Sequence, residues 1–218
     1  MIFREKGKDK GSYAAIRPEN LGWIEYRLTT QEMDYVWRCI KNKKENVNKS
    51  LVGNIDSSYK LLDRGDWFWL NTVKPLCVSY VEEFENVGDR APVMGHHPFV
   101  MKEWWVNYQK QHEFNPTHNH TGVYSFVIWM KIPTSFKKQS KKKFAAKSNR
   151  PLASAFAFSY IDVLGGLKNH VYHLEPEDVG TMLFFPAKLE HCVYPFYDCD
   201  EDRISVSGNI ALNTLKRL

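Results

Sequence analysis

Residues 104–132 read WWVNYQKQHEFNPTHNHTGVYSFVIWMKI. Two runs dense in aromatic and β-branched residues flank a polar link that contains Asn115–Pro116, the composition of two strands joined by a turn-rich segment. Working outward, the same pattern recurs. Val100–Tyr108, Val123–Ile132, Ala153–Val163, Thr181–Phe185, His191–Phe196 and Arg203–Leu212 all read as short strands. Gly165–Gly166, Pro176–Glu177 and the acidic turn Asp198–Asp202 separate them. Strands at this spacing, with no helical period between them, predict an antiparallel sandwich or barrel.

The part before Pro98 has another period. Met33, Val36, Trp37 and Ile40 fall at i, i+3, i+4 and i+7, which predicts a helix from Thr30 to about Glu45 with Thr29 or Thr30 as its N-cap and Glu32 in the first turn. Val73, Leu76, Cys77, Tyr80, Val81 and Phe84 predict a second helix over about Thr72–Glu85, with Pro75 in its first turn. A weaker signal suggests an edge strand around Trp23–Leu28.

Among 218 residues there are 7 Trp, 11 Tyr and 13 Phe, enough apolar mass to require a core and to exclude a disordered chain. No apolar run reaches the length of a membrane span, and the charged start MIFREKGKDKG is not followed by a secretory h-region. Four unpatterned cysteines make neither a disulfide framework nor a CxxC zinc site, which favours a reducing, cytoplasmic setting. The net charge of +5 is concentrated in KKQSKKKFAAKSNR, residues 137–150, which hold seven basic groups and no acid and leave the rest of the chain at −2. That block reads as a solvated hairpin-like insertion at the rim of any barrel site, able to steer an anionic substrate. Phe144 is its only aromatic residue, so base stacking on it is not expected.

Chemistry concentrates in HEFNPTHNHTG, residues 112–122. His118 and His120 are two apart, so on an extended segment they share a face and can chelate a metal; a structural pair has the same spacing. His191 follows an apolar strand and a proline, as a residue at a barrel mouth would. Arg203 opens RISVSGNIAL on one face with Ser205 and Ser207, and an arginine there ends in solvent or meets an anion inside. His96, His97 and His112 read as surface or rim residues, His170 and His173 as facing opposite ways on an extended segment, and Cys192 as turned away from His191.

In order, then, the chain shows HxH, a distant His, an Arg twelve residues on and a Ser two after it. This resembles the Fe(II)- and 2-oxoglutarate-dependent oxygenases, and within them a branch met among phage and marine microbial proteins. The segments carrying the resemblance are LVGNIDSSYKLLD (51–63), WWVNYQKQHEFNPTHNHTGVYSFVIWMKIP (104–133), GTMLFFPAKLEHCVYPF (180–196) and RISVSGNI (203–210). It implies one domain over 1–218, a double-stranded β-helix (jelly-roll, cupin-like) barrel: residues 1–97 as an N-terminal helical support and 98–218 as the barrel core with its basic loop 137–150. His118, His120 and His191 would hold Fe(II). Arg203 with Ser205 would anchor the 2-oxoglutarate carboxylate, with Asn107 and Ser125 as further cosubstrate-positioning residues. Trp105, Tyr124, Phe126 and Trp129 are available as barrel wall. The implied enzyme is a dioxygenase that hydroxylates a substrate and releases succinate and CO2.

His120 stands where that superfamily carries Asp or Glu. Three readings follow: a three-histidine centre, which cupin-type dioxygenases use without 2-oxoglutarate; a site completed by an acid such as Glu113 or Glu190; or a non-catalytic metal- or ligand-binding barrel. The partners expected are a small-molecule or protein substrate and a second copy in a homodimer, with nucleic acid admitted but not favoured and no membrane. The compartment expected is the cytoplasm, a host's if the source is a phage.

Overall fold

The computed structural model describes residues 4–5, 12–13 and 20–215; most of the charged N-terminus lies outside them. After a two-residue ladder, β1 (Arg4–Glu5) with β2 (Ser12–Tyr13), come β3 (Ile24–Arg27), helix α1 (Thr30–Lys41), β4 (Ser57–Lys60) and helix α2 (Lys74–Glu83). The barrel strands follow as β5 (Phe99–Gln109), β6 (Asn115–His118), β7 (Tyr124–Lys131), β8 (Phe156–Ile161), β9 (Leu167–Tyr172), β10 (Thr181–Pro186), β11 (Glu190–Val193) and β12 (Arg203–Leu212). A short helix α3 (Phe136–Gln139) lies between β7 and β8.

All pairings are antiparallel. A six-stranded sheet runs β3-β10-β7-β12-β5-β4 and a four-stranded sheet runs β6-β11-β8-β9. The fold is mainly β, of the double-stranded β-helix type that the strand pattern and the resemblance predict.

Alternation along the large sheet divides the core in two. Tyr124, Phe126 and Ile128 on β7 and Met182 and Phe184 on β10 turn outward to meet Val36, Ile40, Leu76 and Tyr80 of the helices. Val127, Trp129, Leu183 and Phe185 turn inward and pack on Phe156 and Phe158 of the small sheet. Strand β7 is therefore buried on both faces, which is why its sequence is a continuous apolar run and not an alternating one.

The helices are fixed by specific contacts. Thr29 caps α1 in a capping box: its Oγ1 accepts from Glu32 N at 3.3 Å, and Glu32 Oε2 accepts from Thr29 N at 2.7 Å. The Glu32 carboxylate is 5% exposed and also accepts from Thr72 Oγ1 (2.7 Å) and Tyr26 Oη (3.1 Å), so one side chain ties α1 to β3 and to the approach of α2. The expected second helix starts earlier, at Trp67, passes through a five-residue π turn, Trp69–Val73, and continues as α2 from Lys74, one residue before Pro75. Strands β4, β6 and β9 carry no clear sequence signal, and β6 begins at Asn115–Pro116, which reads as a turn in the sequence. Each is a four- or six-residue edge strand, half-buried or exposed along most of its length, so the apolar alternation of the longer strands is missing.

Candidate metal centre

Three registers place the site. His118 on β6 lies directly opposite His191 on β11; Asn107 on β5 lies opposite Ser205 on β12; and Gln109 lies opposite Arg203. His120 falls just past β6 in the link to β7, where its N–H donates to Ala187 O at 2.8 Å and turns the chain back toward β11. His118, His120 and His191 thus converge, their candidate ligand atoms all within 4.8 Å of one another.

Hydrogen bonding fixes which nitrogens face the cluster. His118 Nδ1 is 2.7 Å from Pro116 O and His191 Nδ1 is 2.9 Å from Leu189 O; a carbonyl only accepts, so both Nδ1 atoms carry the proton and both Nε2 lone pairs are left for a ligand. His120 Nε2 and His191 Nε2 are 3.1 Å apart. Two cis nitrogens on one octahedral metal, with bonds of roughly 2.1 Å, are separated by about that distance. The donor set fits a divalent transition ion.

Surroundings favour neutral imidazole. Burial, and then the neighbouring His118, push His191 down to about 3 and His120 down to about 4, so both are uncharged at neutral pH. Trp105 lies against His120 with ring centroids 5.9 Å apart, and Phe156 and Phe185 close on His191 at 5.7 and 5.1 Å.

Neither alternative acid joins the cluster. Glu113 accepts from the backbone N–H groups of Asp56 (3.0 Å) and Lys110 (2.8 Å), while Glu190 accepts from Asn119 Nδ2. Among the described residues the group is three histidines with no carboxylate.

The histidines line a cavity of about 470 Å³. Asn107, Ser205, Ser207 and Asn209 line it from the large sheet, and the segment around 47–55 forms the facing wall. Asn107 Oδ1 accepts from Ser58 Oγ at 2.8 Å, which leaves its N–H groups for the cavity. The sequence assigned no site role to Ser58, Ser207 or Asn209, nor to Gly53, where a Cβ would run into Asn115 Oδ1. The period-2 alternation of RISVSGNIAL was the signal for Ser207 and Asn209.

Two expected cosubstrate residues are elsewhere. Ser125 is fully buried and does not line the cavity; its Oγ donates to Asn209 Oδ1 at 2.8 Å, so it acts on the cavity only through Asn209. Arg203, 2% exposed, does not line it either. Its Nε and one Nη donate to Gln109 Oε1 (3.0 and 2.8 Å), and the remaining donors go to Ser154 O (2.9 Å) and Tyr194 O (2.8 Å). The register that puts Gln109 opposite Arg203 places a neutral acceptor where the sequence suggested an anion. The charge has no acidic partner within ion-pair distance among the described residues, and burial lowers its proton affinity to about 9. Of the expected wall aromatics, Trp105 lines the cavity; Phe126 borders it while its ring packs on Phe68 on the helix side, Tyr124 lies under the helices and Trp129 in the core between the sheets.

The basic insertion is also elsewhere. None of residues 137–150 lines the cavity, so the charge does not sit on its rim. His170 and His173 are likewise remote from the cluster: His170 packs on Trp23 and Tyr172, and His173 stacks on Phe136 at 3.9 Å.

Residues 103–209 match the family described as "Putative 2OG-Fe(II) oxygenase". No curated protein matches the chain. Among solved structures, the chain is similar to a prolyl-4-hydroxylase from Pseudomonas putida, with 13% identity, a TM-score of 0.51 and 88% of this chain and 94% of that one covered. It is also similar to an oxidoreductase of the 2OG-Fe(II) oxygenase family from Burkholderia pseudomallei, with 11% identity, a TM-score of 0.50 and 84% and 79% covered. At such identities the likeness speaks for the fold. No described helix is long and apolar enough to cross a membrane.

Proposed function

We propose, from the match of residues 103–209 to the 2OG-Fe(II) oxygenase family model, that the chain is such an oxygenase, that His118, His120 and His191 hold Fe(II), that 2-oxoglutarate binds beside it, and that the protein hydroxylates an organic substrate. The observation that carries this reading is the convergence of three imidazoles, two with Nδ1–H already committed to carbonyls, at a cavity in the barrel.

Bound there, the metal and cosubstrate supply dioxygen activation, with 2-oxoglutarate leaving as succinate and CO2. The protein's own groups do the rest. Pro116 O and Leu189 O hold two imidazoles in the tautomer that binds metal. Trp105, Phe156 and Phe185 keep water from the histidines. Asn107, held by Ser58, and Ser205 offer hydrogen bonds to a carboxylate. Arg203 lies two residues from Ser205 on the same strand, with a full charge that no acid neutralises. We assign it as the charge that draws the cosubstrate carboxylate, with Gln109 as the group that yields. Among the described residues before β5, α1 and α2 support the barrel, while β3 and β4 extend its large sheet and the segment around 47–55 walls the cavity.

A second reading rests on the same facts. A ligand set with no carboxylate and an arginine engaged by neutral partners favour a three-histidine dioxygenase that adds oxygen directly to its substrate, without 2-oxoglutarate. Succinate release separates the two. Purified protein given Fe(II) and 2-oxoglutarate should form succinate, and His191→Ala should abolish it. Metal binding without any 2-oxoglutarate binding or turnover would overturn the first reading and leave the second.

A further inference from the structure

The insertion between β7 and β8 carries the chain's excess positive charge, and the fold holds it in place. Gln139, 3% exposed, exchanges two hydrogen bonds with the backbone of Tyr197: its Nε2 donates to Tyr197 O (2.8 Å) and its Oε1 accepts from Tyr197 N (3.1 Å). Lys142 pairs with Asp198, and Ala145 is buried. This differs from the solvated hairpin that a run of like charges suggests, because the residues that fasten it, Tyr197 and Asp198, come from the loop after β11.

Fastening uses one cation of seven. Lys137, Lys138, Lys141, Lys143, Lys147 and Arg150 are exposed, and none has an acid within ion-pair distance among the described residues. The neighbouring acidic turn is partly spent elsewhere: Glu201 pairs with Lys131 at 2.7 Å, and Asp200 accepts from Gln111 at 2.9 Å.

The fold also adds what the insertion's own sequence lacks. Phe144, 60% exposed, meets the Tyr197 ring at 4.6 Å, and exposed His112 meets the same ring at 5.2 Å. Three segments far apart in the chain thus bring three rings together at the insertion that carries six exposed cations.

We infer that this face binds single-stranded nucleic acid, the lysines and Arg150 following the phosphates while Phe144 and Tyr197 supply surfaces on which bases stack. Cations spaced along an ordered segment with aromatic side chains among them are the two elements of a sequence-tolerant single-strand site. Duplex recognition needs an element that fills a groove, and α3 has only four residues. A lipid surface draws on a broad apolar face, whereas the only exposed large apolar side chain of the insertion among the described residues is Phe144. The face shares no residue with the histidine cavity, so the inference stands or falls apart from the oxygenase reading.

The test is fluorescence anisotropy of the full chain with a labelled oligothymidylate of about 20 nucleotides, a duplex of equal length and vesicles of anionic lipid as alternatives. With six phosphates neutralised, the log–log salt slope should be about −4, a loss of roughly 300-fold in affinity between about 50 and about 200 mM salt. Changing Lys137, Lys138, Lys141, Lys143 and Lys147 together to Gln should flatten the slope to about −0.7 with the melting temperature unchanged. Phe144→Ala should weaken oligothymidylate about fivefold or more while leaving heparin binding alone, as only the nucleic acid has bases to stack. Absence of saturable binding at about 50 mM salt, indifference to the five-lysine change, or a preference for the duplex or the vesicles would overturn the inference.

Discussion

Arg203→Met tests the role of the buried arginine beside the cavity. The guanidinium is fully buried and held by neutral acceptors only, and its proton affinity is lowered to about 9. At about 1.4 kcal/mol per tenfold change, keeping that charge from water costs on the order of 5 kcal/mol. Methionine removes the cost and fills most of the space, but it leaves Gln109 Oε1, Ser154 O and Tyr194 O without donors, at about 1–3 kcal/mol each. The two effects nearly offset, so the variant should fold and melt within about 10 °C of the parent. If Arg203 draws the cosubstrate, wild-type protein loaded with Mn(II) should gain about 2.7 kcal/mol from 2-oxoglutarate at 100 times its Kd, a rise of about 5–11 °C in Tm for a chain of this size. Scanning fluorimetry reads both quantities on one plate. In Arg203→Met the Mn(II) shift should persist and the 2-oxoglutarate shift should vanish. A variant that keeps the full cosubstrate shift would refute the reasoning and make Arg203 a brace between β5 and β12, with the carboxylate held by Asn107 and Ser205.

Three further outcomes follow from the same structure. His191→Ala should lose the Mn(II)- or Co(II)-induced rise in Tm altogether while its own unfolding stays cooperative, because the ring's protein hydrogen bonds are confined to Leu189 O and a second histidine. Glu32→Ala should cost about 3–5 kcal/mol in urea unfolding, since it removes the reciprocal half of the capping box of α1 and orphans Thr72 and Tyr26 together; Glu32→Gln, which keeps the acceptor oxygen, should cost less. Burial pushes the thiols of Cys39 and Cys77 up to about 11 and about 12 and raises that of Cys192, so at pH 8 iodoacetamide should label Cys199 alone until denaturant exposes the other three, and rapid native labelling of two or more would count against the packing of α1 and α2.

The barrel was legible because its strands bury one or both faces, and burial writes itself into aromatic and β-branched runs. Arg203–Leu212 was read with its observed ends, and Thr181–Phe185 is short by one residue. The three histidines were legible because two lie two residues apart in a turn-rich link and the third follows a fully apolar strand. What stayed hidden depends on register. That Gln109 faces Arg203, that Asn209 stands between Ser125 and the cavity, and that Ser58 steadies Asn107 are cross-strand facts, set by which strands pair and where the bulges fall. The basic insertion misled for a related reason: its own residues say solvent, while its anchors, Tyr197 and Asp198, lie some fifty residues on.

The small sheet has an unusual edge. Strand β6 is four residues long, pairs only with β11, and its register slips between Val193 and His191. The two histidines that face each other across that pairing are the same two whose lone pairs converge. A cation held there is therefore a rivet through a short, slipped seam of the barrel. Amide exchange along 115–118 should slow on metal loading far more than exchange in the large sheet, and the cell's proteases would meet a loaded protein as closed at a seam where the metal-free one can breathe.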